Sequence, residues 1–154
     1  MARGDATPAD VSIHHQRALA RARALGRAAH GGTRARREAG RAFLRYFERE
    51  VLPHCRDEER TLFPLMVSHH APSEAVTLTL AEHEWLQVLA RRLQVALEAG
   101  APDRELLEAI AGLLVRHTDR QERELRPVIG SEAGRRFAGH PHPRSVRSTM
   151  PDAR

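Results

Sequence analysis

The stretch His54-Cys55-Arg56-Asp57-Glu58-Glu59-Arg60-Thr61-Leu62-Phe63-Pro64 lines up without a gap with His117-Thr118-Asp119-Arg120-Gln121-Glu122-Arg123-Glu124-Leu125-Arg126-Pro127. His, Glu, Leu and Pro recur at the same spacing in the two copies. In a helix, His54 and Glu58 are four residues apart and share a face, where they can bind one ion or bridge two. The reading of this repeat as helical decides the fold, because the apolar pattern continues outward from it in steps of three and four.

Four such helices are predicted. Thr7-Pro8 opens the first, with Thr7 as cap and Pro8 at its first position, and His30-Gly31-Gly32 ends it. Thr33 caps the second, which runs to about Val67 with a kink at Pro53 and its last turns at Pro64. Ala71-Pro72-Ser73-Glu74 opens the third, closed by Gly100, and Ala101-Pro102-Asp103 opens the fourth, ending near Ile129-Gly130. Three short connections between helices of this length favour an antiparallel up-down four-helix bundle. The bundle is assigned to residues 1–137, and 138–154, rich in Pro, Ser and Arg, to a disordered tail.

Composition agrees with an all-α chain. The 154 residues are 41% hydrophobic but only 4% aromatic, and much of the apolar content is Ala and Leu. No alternating β-branched run marks a strand. The formal charge is +5, carried by Arg with no Lys, but the Arg residues are mixed with 20 acids and lack interleaved aromatics. No nucleic-acid partner is therefore predicted. One cysteine, Cys55, excludes an internal disulfide. Met1–Asp10 lacks the apolar segment of a signal peptide, and no stretch is long enough to span a membrane, so a cytoplasmic protein is expected.

The inward stripes are Val11, His15, Ala18, Ala22, Leu25 and Ala29 on the first helix, and Phe47, Val51, His54, Glu58, Leu62 and Leu65 on the second. The third gives Val76, Leu80, His83, Leu86, Ala90, Leu93 and Leu97; the fourth gives Leu106, Ile110, Leu113, His117, Gln121, Leu125 and Val128. Each is apolar except for one histidine, with Glu58 and Gln121 in addition. Burying Glu58 among four imidazoles costs several kcal/mol unless it is paired or coordinates a cation. A metal gives every lone pair a partner. His15 is favoured over its neighbour His14, whose row passes through Arg21. Trp85 is assigned to a helix–helix seam or a dimer contact, leaving monomer and homodimer both open. Cys55 is read as a buried side chain with nothing to support a redox role.

These elements resemble the hemerythrin-like (HHE cation-binding) domains over about residues 10 to 130. The resemblance rests on the isolated His15, the His54–Glu58 pair followed by Leu-Phe-Pro, the Glu82-His83 pair, and the second His-carboxylate element from His117. It implies a four-helix bundle around two non-haem irons, bridged by carboxylates and an oxo or hydroxo group. It also implies a role in binding dioxygen, sensing or scavenging nitric oxide, sensing iron, or reacting with peroxide. Two departures stand out. Where oxygen carriers have a second histidine on the third helix, this chain has Thr79 and Gln87. The position matching Glu58 on the fourth helix is Gln121, with Glu122 adjacent. An amide is a poor ligand for ferric iron, so Glu122 is expected to supply the carboxylate, although it starts to one side of the stripe. The expected metal ligands are then His15, His54, Glu58, His83, His117 and Glu122. Ferritin-like sites need Glu-x-x-His on two helices, which this chain lacks. Zinc, which prefers four ligands and often thiolate, is a weaker match. Redox chemistry on peroxide or nitric oxide is expected over oxygen transport, with iron sensing or dioxygen binding without turnover as the alternative.

Overall fold

A computed structural model describes residues 8–68, 73–125 and 127. They form four helices and, among the described residues, no strand. Helix α1 spans Pro8–Ala29. Helix α2 covers 33–68 without a break, as α-helical Thr33–Tyr46, Leu52–Asp57 and Phe63–Ser68 joined by wider π turns at Phe47–Val51 and Glu58–Leu62. Helix α3 is Ser73–Glu98, and α4 is Arg104–Arg120, extended by a third π turn at Gln121–Leu125. Helix α1 packs on α2 and α4, and α3 packs on the same two, which closes the ring. The three-residue link from α1 to α2 and the short link from α3 to α4 turn the chain back on itself, as an up-down bundle requires.

The helix ends follow the expected residues with one adjustment. Asp103 caps α4 by accepting a hydrogen bond from the Leu106 amide at 2.7 Å. The cap of α2 is Gly32 rather than Thr33. Its backbone is extended, its carbonyl accepts from the Arg36 amide at 3.1 Å, and no side chain takes part. Gly100 follows α3 with a φ of 142°, a conformation that a Cβ disfavours. Gly100→Ala should therefore cost about 1–2 kcal/mol, read by urea unfolding, with unchanged helical circular dichroism. Thr7, Pro72, His69, His70, the end of the fourth helix, His140, His142 and the predicted tail lie outside the described residues.

The π turns replace the simple kink expected at Pro53. Proline has no N–H for the carbonyl four residues back, and its ring crowds that carbonyl. Widening the preceding turn relieves both conflicts. Each π turn ends two residues before a proline: Val51 before Pro53, Leu62 before Pro64, Leu125 before Pro127. The second and third fall on the two copies of the sequence repeat, so the repeat is structural as well as chemical.

Two apolar clusters fill the interior. One gathers Leu25, Phe43, Phe47, Leu86, Leu93, Leu107, Ile110 and Leu114, among others. The other gathers Leu62, Phe63, Met66, Ala75, Val76 and Leu125. Fully burying one such Leu or Phe contributes about 1.5–3 kcal/mol. Along α2, α3 and α4 the buried polar residues Glu58, then Thr79, Glu82 and His83, then His117, Thr118 and Gln121 fall between the two clusters. The polar layer is thus held by hydrophobic packing on both sides.

The stripe of α3 needs a correction. Leu80 is exposed, and Thr79 is completely buried in its place. Positions 76, 79, 83, 86, 90 and 93 keep steps of three and four through the core, and 80 falls to the side. The Thr79 hydroxyl is satisfied by donating to the Ala75 carbonyl at 2.8 Å. Trp85 points outward at 60% exposure, so it fills no internal seam. Cys55 is buried in the larger cluster, and burial pushes its thiol well up from its ordinary value.

Candidate metal centre

Each helix delivers one histidine to the polar layer. His15, His83 and His117 are buried; His54 is partly exposed, but its Nε2 atom is buried. Glu58 lies among them, with His54 Nε2 3.2 Å from Oε1 and His83 Nε2 3.3 Å from Oε2. The angles are not those of hydrogen bonds, and both Nε2 atoms are buried with no hydrogen-bond partner. Ligand atoms of Glu58, His83 and His117 all lie within 4.8 Å of one another, an arrangement that could hold a cation. The His83 and His117 rings meet edge to face at 5.0 Å between centroids, and Phe63 stacks on the other side of His83 at 5.7 Å.

The π turns explain how adjacent residues reach a single imidazole. Glu58 faces Nε2 of His83, and Glu59 accepts a hydrogen bond from its Nδ1 at 2.8 Å. In the other copy, Gln121 Oε1 lies 2.7 Å from Nε2 of His15, and Glu122 accepts from its Nδ1 at 2.6 Å. The structure therefore places Gln121 inward, with 3% of its surface exposed, and Glu122 at the outer nitrogen of His15. Gln121 also donates from Nε2 to both oxygens of Glu58, at 2.9 and 2.8 Å. His14 stays half-buried and stacks on His54, with 5.4 Å between centroids.

His117 has the same kind of support. Its Nδ1 donates to Glu82 Oε2 at 3.2 Å, and Arg120 Nε donates to the other oxygen at 3.2 Å. Three of the four histidines thus have Nδ1 on a carboxylate, which fixes the ring and leaves Nε2 for the interior. Sequence reading missed Glu59 and Glu82 in this role. The alignment of Glu59 with Glu122 in the repeat was the available signal for the first. The Glu82-His83 pair marked the second as a position of interest, but no local pattern tied it to His117.

Electrostatics follow from burial and proximity. Burial opposes the charge on His54 and on His83, but the Glu58 carboxylate outweighs it for both, with Glu59 adding at His83, so both are raised above 6.5. Burial likewise disfavours ionised Glu58, yet His54 and His83 hold its carboxyl far below the usual range. Burial dominates at His117 and lowers it, despite Glu82. Glu82 is buried enough to resist ionisation, but His117 and Arg120 keep its carboxyl below its ordinary value.

Residues of this kind in one buried layer define a cation-binding helical bundle. The family model of the hemerythrin HHE cation binding domain matches residues 9–129, and the chain belongs to that family. No curated protein and no solved structure matches it. No helix among the described residues is long and apolar enough to cross a membrane.

Proposed function

We propose that this chain is a non-haem iron protein whose centre takes two irons and reacts with a small oxidant or radical, peroxide or nitric oxide, rather than carrying dioxygen. The observation that carries the reading is the pair of buried, unpartnered Nε2 atoms of His54 and His83 on either side of Glu58, with His117 in reach. Buried polar atoms are rarely left unsatisfied. Here a cation would satisfy them together. His83, His117 and Glu58 would hold one iron, and His15 and His54 the second, with Glu58 between them. Five nitrogen and oxygen donors without thiolate suit iron better than a closed zinc site.

Iron supplies a ferrous–ferric couple that can exchange electrons with the small molecule. The protein supplies the rest. Glu59, Glu82 and Glu122 grip the outer nitrogens, and the apolar clusters above and below keep bulk water out. At Thr79 the chain buries a hydroxyl bound to its own helix where an imidazole would add a ligand. A less saturated site leaves room for an exogenous molecule.

Metal analysis and a visible spectrum after expression in iron-rich medium test this. About two irons per chain, rapid oxidation in air and measurable peroxide breakdown are expected. A chain loaded with zinc, or reversible dioxygen uptake without oxidation, would defeat it. The histidine supports are open to a separate check. Glu82→Ala should weaken metal affinity about 10–100-fold, whereas Glu82→Gln, which can still accept from His117 Nδ1, should recover most of the loss in chelator competition.

A further inference from the structure

We propose that Gln121 divides the centre into two unequal cation positions. The tight one lies at Glu58, His83 and His117, and the weaker one, at His15 and His54, opens only when the Gln121 amide is displaced. The proposal rests on the cation-binding reading above and concerns how the two positions fill.

Gln121 stands where a cation would join His15 to Glu58. Its Oε1 is 2.7 Å from His15 Nε2, and its Nε2 donates to both Glu58 oxygens at 2.9 and 2.8 Å. All three contacts are buried. A cation between His15 and Glu58 must break them and strand the amide in the core, which offsets part of its binding energy. At Glu58, His83 and His117 the Gln121 amide can stay in place, because each Glu58 oxygen that accepts from it keeps a further lone pair for the cation. The three ligand atoms already lie within 4.8 Å of one another, and His83 Nε2 has no hydrogen-bond partner.

Charge works in the same direction. Glu58 and Gln121 are equivalent positions of the internal repeat, one a carboxylate and one a neutral amide. Two facing carboxylates would repel each other until a cation came between them. The amide removes that repulsion by donating to Glu58, so these two side chains satisfy each other with the second position empty. A single side chain breaks the pseudo-symmetry of the site and makes its occupancy graded.

The test is a titration of the metal-free protein under nitrogen, with cobalt(II) read by visible absorption and ferrous iron by equilibrium dialysis. Wild type should fill in two steps separated by at least about tenfold in affinity. His83→Ala should remove the first step, and His15→Ala only the second. Gln121→Glu should tighten the second step at least about tenfold and leave the first within about threefold. Gln121→Ala separates an obstruction from a ligand, because it leaves the second step as strong or stronger if the amide obstructs. Two equal steps in wild type, an unchanged second step in Gln121→Glu, or loss of that step in Gln121→Ala would each overturn the proposal. If Gln121→Glu folds only when loaded, its stepwise release of cobalt to a chelator gives the same comparison. Cobalt filling in two unequal steps while iron is not retained would sink the iron assignment alone. Iron held in two equal positions would sink the inequality alone.

Discussion

Glu58→Ala should lower cation affinity at least about a hundredfold and, at pH near 6, destabilise the metal-free bundle by about 3 kcal/mol. Glu58 is the one carboxylate in the described structure that faces both His54 and His83, and both of its oxygens also accept from the Gln121 amide nitrogen. Its removal leaves the inner nitrogens of two imidazoles and an amide around a cavity that holds no anion, with Glu59 still on the outer nitrogen of His83. The pH dependence has a definite sign. His54 and His83 are raised above 6.5 in the fold, so their contribution is complete below 6.5 and is lost as pH rises through the raised values. Glu58 is depressed below 4.5, so its contribution is complete above 4.5 and is lost as pH falls towards the depressed value. The cluster therefore stabilises the metal-free protein most between 4.5 and 6.5, and Glu58→Ala should flatten that maximum. Urea unfolding of chelator-treated protein across pH measures it. Glu58→Gln keeps the volume and separates lost charge from a cavity. An alanine variant that binds cobalt within about tenfold of wild type would remove Glu58 from the centre.

The sequence carried the bundle because helix ends and apolar spacing are local properties. Pro8, Gly100 and Asp103 each act through the backbone beside them, and the stripes converge on one layer through simple periodicity. The error at Leu80 has the same origin. A stripe traced by hydrophobicity prefers leucine to threonine, but a threonine that returns its hydroxyl to Ala75 is cheap to bury. The π turns were not legible as such. Three prolines at the same distance from three turns become meaningful only once the backbone shows the wider turn. That turn decides how Gln121 and Glu122 share His15, since a regular helix of 100° per residue carries Glu122 off to the side. The pairing of Glu82 was not legible for another reason. Its partners His117 and Arg120 lie 35 and 38 residues away, and pairing at that range depends on how α3 and α4 dock.

Loading the centre should raise the melting temperature by roughly 5–10 °C. A ligand that binds only the native state, present at about 100 times its dissociation constant, stabilises by about 2.7 kcal/mol. For a chain of this size each kcal/mol is worth roughly 2–4 °C. The proposed ligands come from four helices, so the unfolded chain has no comparable site, and binding free energy becomes folding free energy. His83→Ala and His117→Ala should abolish most of the shift, because each removes a ligand atom from the cluster with Glu58. His30→Ala should keep all of it, since His30 is exposed at the end of α1 against Glu108. Loading must also expel the protons that Glu58 helps to hold on His54 and His83, so the shift should shrink as pH falls below their raised values. Calorimetry with and without metal, at pH 6 and 8, reads both effects. A shift of equal size in His83→Ala would place the stabilising cation elsewhere on the chain.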